Sequence, residues 1–137
     1  MKIIQNTDIK KLQETAALAL KEALMDSHED GVLLLLSAGS AFDILENISL
    51  YPLVFNNKIT IGMLDERFDN SKDINNYIQF QKTNFYQRAL DGGVNFIDSI
   101  PKENETIDSF SLRIEQSLRK WRSENKYGKI IITEGVG

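Results

Sequence analysis

The sequence predicts one α/β domain built on a mostly parallel sheet. Three observations carry that expectation. Val32 to Leu36, Lys58 to Leu64 and Lys129 to Thr133 are short runs rich in apolar residues, the pattern of strands covered on both faces. The segments between them carry apolar residues at three- and four-residue spacing and are long enough to cross back over a sheet. A chain of 137 residues with 42% hydrophobic content can bury one substantial core, and a second domain is not expected.

In chain order, Thr7 or Asp8 can cap a first helix whose positions Ile9, Leu12, Ala16, Leu20 and Leu24 share a face suited to packing on a sheet. After Met25 the polar loop Asp26 to Gly31 leads into the first strand. Ala41 to Leu50 reads as a short helix with Phe42, Leu45 and Ile48 inward, stopped by Tyr51-Pro52. The strand Lys58 to Leu64 opens into a polar loop, Asp65 to Asn76, which has no regular apolar period. A helix is expected from about Asn76 to Leu90, with Phe85 and Leu90 buried, ended by Gly92-Gly93. Val94 to Ile97 fits a short strand and Pro101 to Glu105 a loop. Ile107 to Glu124 reads as a helix with Phe110, Ile114, Leu118 and Trp121 on one stripe, followed by the last strand. The chain then reaches Glu134-Gly135-Val136-Gly137, where the next strand-to-helix turn would begin, so the expected fold is incomplete at its C-terminus.

Composition excludes several classes of function. Net charge is −4, sequence pI is about 5.0, and Lys and Arg are scattered among acids, so no basic face for nucleic acid or an anionic membrane is expected. A phosphate would have to be bound locally. The absence of cysteine removes disulfides, thiolate metal sites and a Cys nucleophile; it fits a cytosolic location and equally permits secretion. Met1 to Asn6 lacks the apolar core of a signal peptide, and no apolar run approaches the roughly 18 residues of a membrane span. His28, the sole histidine, lies in the loop before the first strand, at the opposite end of the sheet from the polar clusters described next. With no second histidine, a transition-metal site has no ligand set, and no metal or other cofactor is expected.

Two polar clusters follow apolar strands. Ser37-Ala38-Gly39-Ser40 leads from a strand into a helix, so free backbone N–H groups, the helix dipole and two hydroxyls can face an anion, with Gly39 allowing close approach. The same residues also fit a plain tight turn with Ser40 as helix cap. With one glycine the dinucleotide fingerprint is absent, as is the nucleotide P-loop. In the second cluster, Asp65-Glu66-Arg67, neighbouring side chains on an extended backbone point to opposite faces, and Asp65 is the acid expected to face a cleft. Its carboxylate could move a proton and Arg67 could clamp an anionic substrate, whereas a solvated charge cluster is the plainer reading. Asn75-Asn76-Tyr77 could line the cleft mouth or cap the next helix. Ligands in open α/β sheets collect at the carboxyl ends of strands, so the two clusters together suggest one cleft.

Leu36-Ser37-Ala38-Gly39-Ser40, Leu64-Asp65-Glu66-Arg67, Asn75-Asn76-Tyr77 and Glu134-Gly135-Val136-Gly137 resemble, in order and rough spacing, segments of the 6-phosphogluconolactonase and glucosamine-6-phosphate isomerase/deaminase family. The family segments are L-S-G-G-S-T-P, D-E-R, D-S-N-Y and the opening of G-x-G-x-D-G-H. The resemblance spans nearly all of this chain but only the first part of a family domain. It implies a three-layer α/β/α, Rossmann-like fold and a small phosphosugar substrate. It implies further that Ser37, Gly39 and Ser40 hold the phosphate, with Arg67 and Asn76 beside the substrate and Asp65 at the reacting end of the sugar. Departures are Ala38 for a glycine, Ala41-Phe42 for Thr-Pro, and Asn75 for the serine of D-S-N. The D-G-H histidine, the family's expected proton carrier, would fall beyond Gly137. Asp65-Glu66-Arg67 is similar to the lactonase branch, since deaminases more often carry D-E-Y. Lactone hydrolysis by a complete domain is therefore the leading expectation, ahead of the isomerase/deaminase and of a non-catalytic sugar-phosphate-binding module or inactive fragment; residues 1–137 alone, without that histidine, are expected to lack normal activity.

Overall fold

The computed structural model describes residues 1–26, 30–48, 55–71 and 73–134. His28, the Tyr51-Pro52 stop and Gly135 to Gly137 lie outside the described residues. The elements are α1 (Ile9–Met25), β1 (Val32–Leu36), α2 (Ala41–Ile48), β2 (Ile59–Met63), α3 (Asn76–Phe80), α4 (Asn84–Asp91), β3 (Asn95–Phe96), α5 (Ile107–Glu124) and β4 (Lys129–Thr133).

The strands form one parallel sheet in the order β3-β2-β1-β4. The three apolar runs pair in parallel, and β1 lies between β2 and β4, with Leu36 opposite Met63 on one side and Thr133 on the other. Alternation along β1 divides the core. Val32, Leu34 and Leu36 pack with Ala17, Leu20 and Leu24 of α1, Leu45 and Ile48 of α2, and the aromatic residues of α3 and α4. Leu33 and Leu35 face Trp121, Ile114 and Leu118 of α5. This is the three-layer α/β/α arrangement, with four helices on one face among the described residues and α5 on the other.

Local chemistry sets the helix ends. The Asp8 carboxylate accepts from Lys10 N and Lys11 N, and Thr106 and Ser109 cap each other's backbone at the start of α5. The helix expected from Asn76 to Leu90 is two helices. Thr83 breaks it: its hydroxyl donates to Phe80 O at 2.8 Å, closing α3, and accepts from Tyr86 N at 3.1 Å, opening α4. The restart shifts the helical phase, so Ala89 is buried and Leu90, expected inside, is 47% exposed. The first turn of α1 departs as well. Ile9 is 73% exposed, and burial begins at Ala17.

β4 carries a further contrast. Ile131 packs toward α1 and α2, whereas Ile130 and Ile132, on the α5 face, are 45% and 56% exposed. α5 lies over Leu33 and Ile97 and leaves those two isoleucines uncovered.

Phe80 is fully buried and lies within 6.3 Å, ring centroid to centroid, of Phe42, Tyr77, Phe85, Tyr86 and Phe96. Truncating it removes the shared neighbour of five rings. Phe80→Ala should lower unfolding free energy by about 3–5 kcal/mol, read from urea denaturation. A loss under about 1 kcal/mol would mean that the cluster can collapse into the gap.

Candidate functional site

Parallel pairing brings the carboxyl ends of β1, β2 and β4 to one edge. Leu64 N donates to Leu36 O at 2.7 Å and Ser37 N to Thr133 O at 3.1 Å, so the Ser37–Ser40 turn and the Leu64–Arg67 loop leave adjacent strands at the same level. Neighbouring strands are about 4.8 Å apart, which places the two clusters side by side. At the same edge Thr133 Oγ1 is buried with no hydrogen-bond partner among the described residues.

In the first cluster Ser37 is buried, while Gly39 and Ser40 are exposed. Gly39 has φ +70°, in the left-handed region, and a Cβ placed on it would meet nothing within 4 Å. A side chain there would be resisted by the backbone rather than by neighbours. Gly39 O accepts from Phe42 N at 2.9 Å and Ser40 O from Asp43 N at 3.2 Å, winding the chain into α2. With Phe42 N and Asp43 N so bonded, the amides ahead of them, those of Gly39 and Ser40, are the ones that present at the exposed turn.

In the second cluster the adjacent acids divide their roles. Glu66 turns inward, where Oε1 accepts from Arg67 N at 2.8 Å and Asn76 N at 2.7 Å, and Oε2 accepts from Tyr77 N at 3.0 Å and Ser99 Oγ at 2.6 Å. It thus anchors the amino end of α3, where a negative charge meets unpaired amides. Asp65 is exposed, and Asn76 Nδ2 reaches its backbone O at 3.1 Å and its Oδ2 at 3.3 Å. Asn76 is only 3% exposed, so its amide is committed to Asp65. Asn75 caps α3 by accepting from Ile78 N, and its Nδ2 donates to Ser99 O at 3.0 Å and Arg67 O at 3.4 Å. The Arg67 guanidinium is exposed and has no partner among the described residues. Nearby, burial and the adjacent Tyr86 push the Tyr77 phenol well above the ordinary tyrosine range.

Three residues of this framework were not singled out in the sequence. Ser99 and Arg113 carry no motif, and Glu66 lies beside Asp65, the acid that the sequence points to for the cleft. The signal that could have found Glu66 is the helix starting at Asn76, whose first amides need an acceptor. The loop that carries Ser99 is fastened to α5 by Arg113, which forms a two-pronged ion pair with Glu105, Nε to Oε1 at 2.7 Å and Nη2 to Oε2 at 3.0 Å. Hydrogen bonds from Arg113, then from the Lys102 amide, hold the Glu105 carboxyl down to about 2.

A cavity of about 340 Å³ lies at this end on the α5 side, lined by Leu35, Gly62, Leu64, Glu66, Ser99 and Leu118 among others. None of the six expected site residues lines it; Gly39, Ser40, Asp65 and Arg67 are exposed, and Ser37 and Asn76 are buried. A larger cavity of about 860 Å³ lies at the opposite, amino end of the strands, beside Gly31, Lys58 and Asn95. Its charged lining mixes Lys58, Lys102, Arg113 and Lys120 with Asp98 and Glu124, and it holds neither polar cluster. The strand-end chemistry therefore outweighs cavity size in locating the site.

No family model matches this sequence, and no curated protein matches it. Solved structures do. The chain is similar to 6-phosphogluconolactonase from Plasmodium vivax, with a TM-score of 0.66, 15% identity, and coverage of 87% of this chain and 43% of that one. It is also similar to 6-phosphogluconolactonase from Thermotoga maritima, with a TM-score of 0.53, 19% identity, and coverage of 91% and 52%. At such identity the likeness establishes a shared fold. The chain spans about half the length of these proteins.

Two outcomes test the framework. Glu66→Gln places an NH2 group against donors that now meet a carboxylate, and should destabilise the protein by about 1.5–3 kcal/mol in urea denaturation; a neutral result would remove the anchoring role. For Glu105, the folded carboxyl lies below its ordinary value of 4.5, so its stabilisation is present above that pH and lost as pH falls through about 2. The stability gap between wild type and Glu105→Gln should therefore shrink on acidification across that window. A gap constant across it would rule out the ion pair as its source.

Proposed function

We propose that this chain forms the phosphate-binding and carboxylate-bearing part of a hydrolase that opens 6-phosphogluconolactone to 6-phosphogluconate. The observation that carries the reading is the pairing, at adjacent parallel strand ends, of an exposed turn entering a helix with a carboxylate held in place by a buried amide. The fold shared with two 6-phosphogluconolactonases supports the same reading. In the reaction, water oxygen bonds to the lactone carbonyl carbon, the bond from that carbon to the ring oxygen breaks, and a proton from water ends on the released oxygen. The Ser37–Ser40 turn holds the phosphate through backbone amides and hydroxyls. Asp65 stands at the lactone end, where it can accept the proton of the attacking water. Arg67 supplies positive charge near the developing oxyanion.

Calorimetric titration tests the binding half. 6-Phosphogluconate should bind, and gluconate, lacking the phosphate, should not. Ser40→Ala should weaken binding about ten-fold or more, the cost of one charge-assisted hydrogen bond. In lactone hydrolysis by a chain that extends through the D-G-H segment, measured above the spontaneous rate, Asp65→Asn should lower kcat more than it raises KM. Binding without turnover would leave a sugar-phosphate-binding module, and release of ammonia from glucosamine 6-phosphate would assign the isomerase/deaminase branch. Absence of binding would overturn the reading.

A further inference from the structure

We propose that Arg113 is a positioning residue for the Asp65 carboxylate, acting from α5 through Ser99, Glu66 and Asn76. The inference rests on the proposed role of Asp65 for its functional consequence and on the bond network for its mechanical one. Besides its pairing with Glu105, Arg113 donates from Nη1 to Asp98 O at 2.6 Å and from Nη2 to Ile100 O at 2.9 Å. Those carbonyls belong to the residues on either side of Ser99. The guanidinium lies 5.3 Å from the Phe110 ring centroid, which limits its movement.

Held on both flanks, Ser99 turns its hydroxyl and its carbonyl toward the loop after β2. Its hydroxyl donates to Glu66 and its carbonyl accepts from Asn75. Glu66 then fixes the amides of Asn76 and Tyr77, and the Asn76 side chain fixes Asp65. Ser99, Asn75 and Asn76 are all buried, so water does not readily replace a lost link. Behind this loop β3 offers only two paired residues, too few to hold Asp98 to Ile100 by sheet pairing alone. Arginine suits the task because its planar fork serves a carboxylate and two carbonyls at once, which a lysine ammonium on a flexible stem does not.

Amide hydrogen exchange on the full chain reads the coupling without any assay of activity. Arg113→Gln should speed exchange at Asn76 and Tyr77 about ten-fold or more, with Leu34 and Ile61 in the central strands unchanged. Ser99→Ala should act at the same two amides, and the double variant should exceed the stronger single change only slightly, because both break one chain. Arg113→Lys, which keeps the charge and disturbs folding least, should also speed exchange at Asn76 and Tyr77. Unchanged exchange there in either Arg113 variant would overturn the proposal, as would equal acceleration at Leu34 and Ile61, which signals general destabilisation. With the lactone as substrate, Arg113→Lys should lower kcat while leaving 6-phosphogluconate affinity unchanged; lowered affinity with unchanged kcat would overturn the link to Asp65. Should a chain that extends through the D-G-H segment hydrolyse no lactone, the proposed function fails, and the exchange data still decide whether Arg113 holds the loop on which Asp65 depends.

Discussion

The carboxylate of Glu66 sets the geometry at the carboxyl edge of the sheet. It accepts from three backbone amides and one hydroxyl, and those donors come from the loop after β2, from α3 and from the loop after β3. α3 is only five residues long and could not hold its own amino end by helix cooperativity. A charge placed there satisfies amides that the helix geometry leaves unpaired, and it joins three segments that the side-chain amides of Asn75 and Asn76 also bridge. The neighbouring acid is thereby released. Asp65 can face solvent because Glu66 has taken the interior role.

β1 was legible because burial on two faces demands a continuous apolar run, and β2 and β4 because their residues are largely apolar, although one face of β4 stays uncovered. The α5 stripe was legible for the same reason, since Phe110 and Trp121 recur at helical spacing and both are buried. The break at Thr83 was not. Asn76 to Leu90 reads as one helix, and a single hydroxyl that closes one turn and opens the next leaves no trace in apolar periodicity. The error at Leu90 follows from that break, because restarting a helix rotates every later side chain. The outward first turn of α1 has a different origin. Its apolar spacing is real, but among the described residues nothing covers Ile9, which is 73% exposed.

For the candidate site, the sequence located the two strand ends and said less about what supports them. Ser37, Gly39, Ser40, Asp65 and Arg67 lie in short clusters that stand out against apolar runs. Ser99 and Arg113 are single polar residues in ordinary surroundings, and their roles arise only when the fold brings positions far apart in sequence to within hydrogen-bond distance. Asn76 lies between these cases. It was visible as part of a cluster, yet its burial and its bonds to Asp65 come from the docking of α3.

The strand order has a kinetic consequence. β1 meets β2 after one short crossover, whereas Val32 pairs with Lys129, roughly a hundred positions later in the chain, and such distant closure is what slows folding. The β1–β2 pair with α2 can therefore assemble early, and β4 joins late. Until it does, the second edge of β1 offers unpaired backbone between two apolar faces, and the Ile130-Ile131-Ile132 segment is itself a sticky strand without a neighbour. Refolding yield in vitro should be governed by how soon these two edges find each other within one molecule rather than between two.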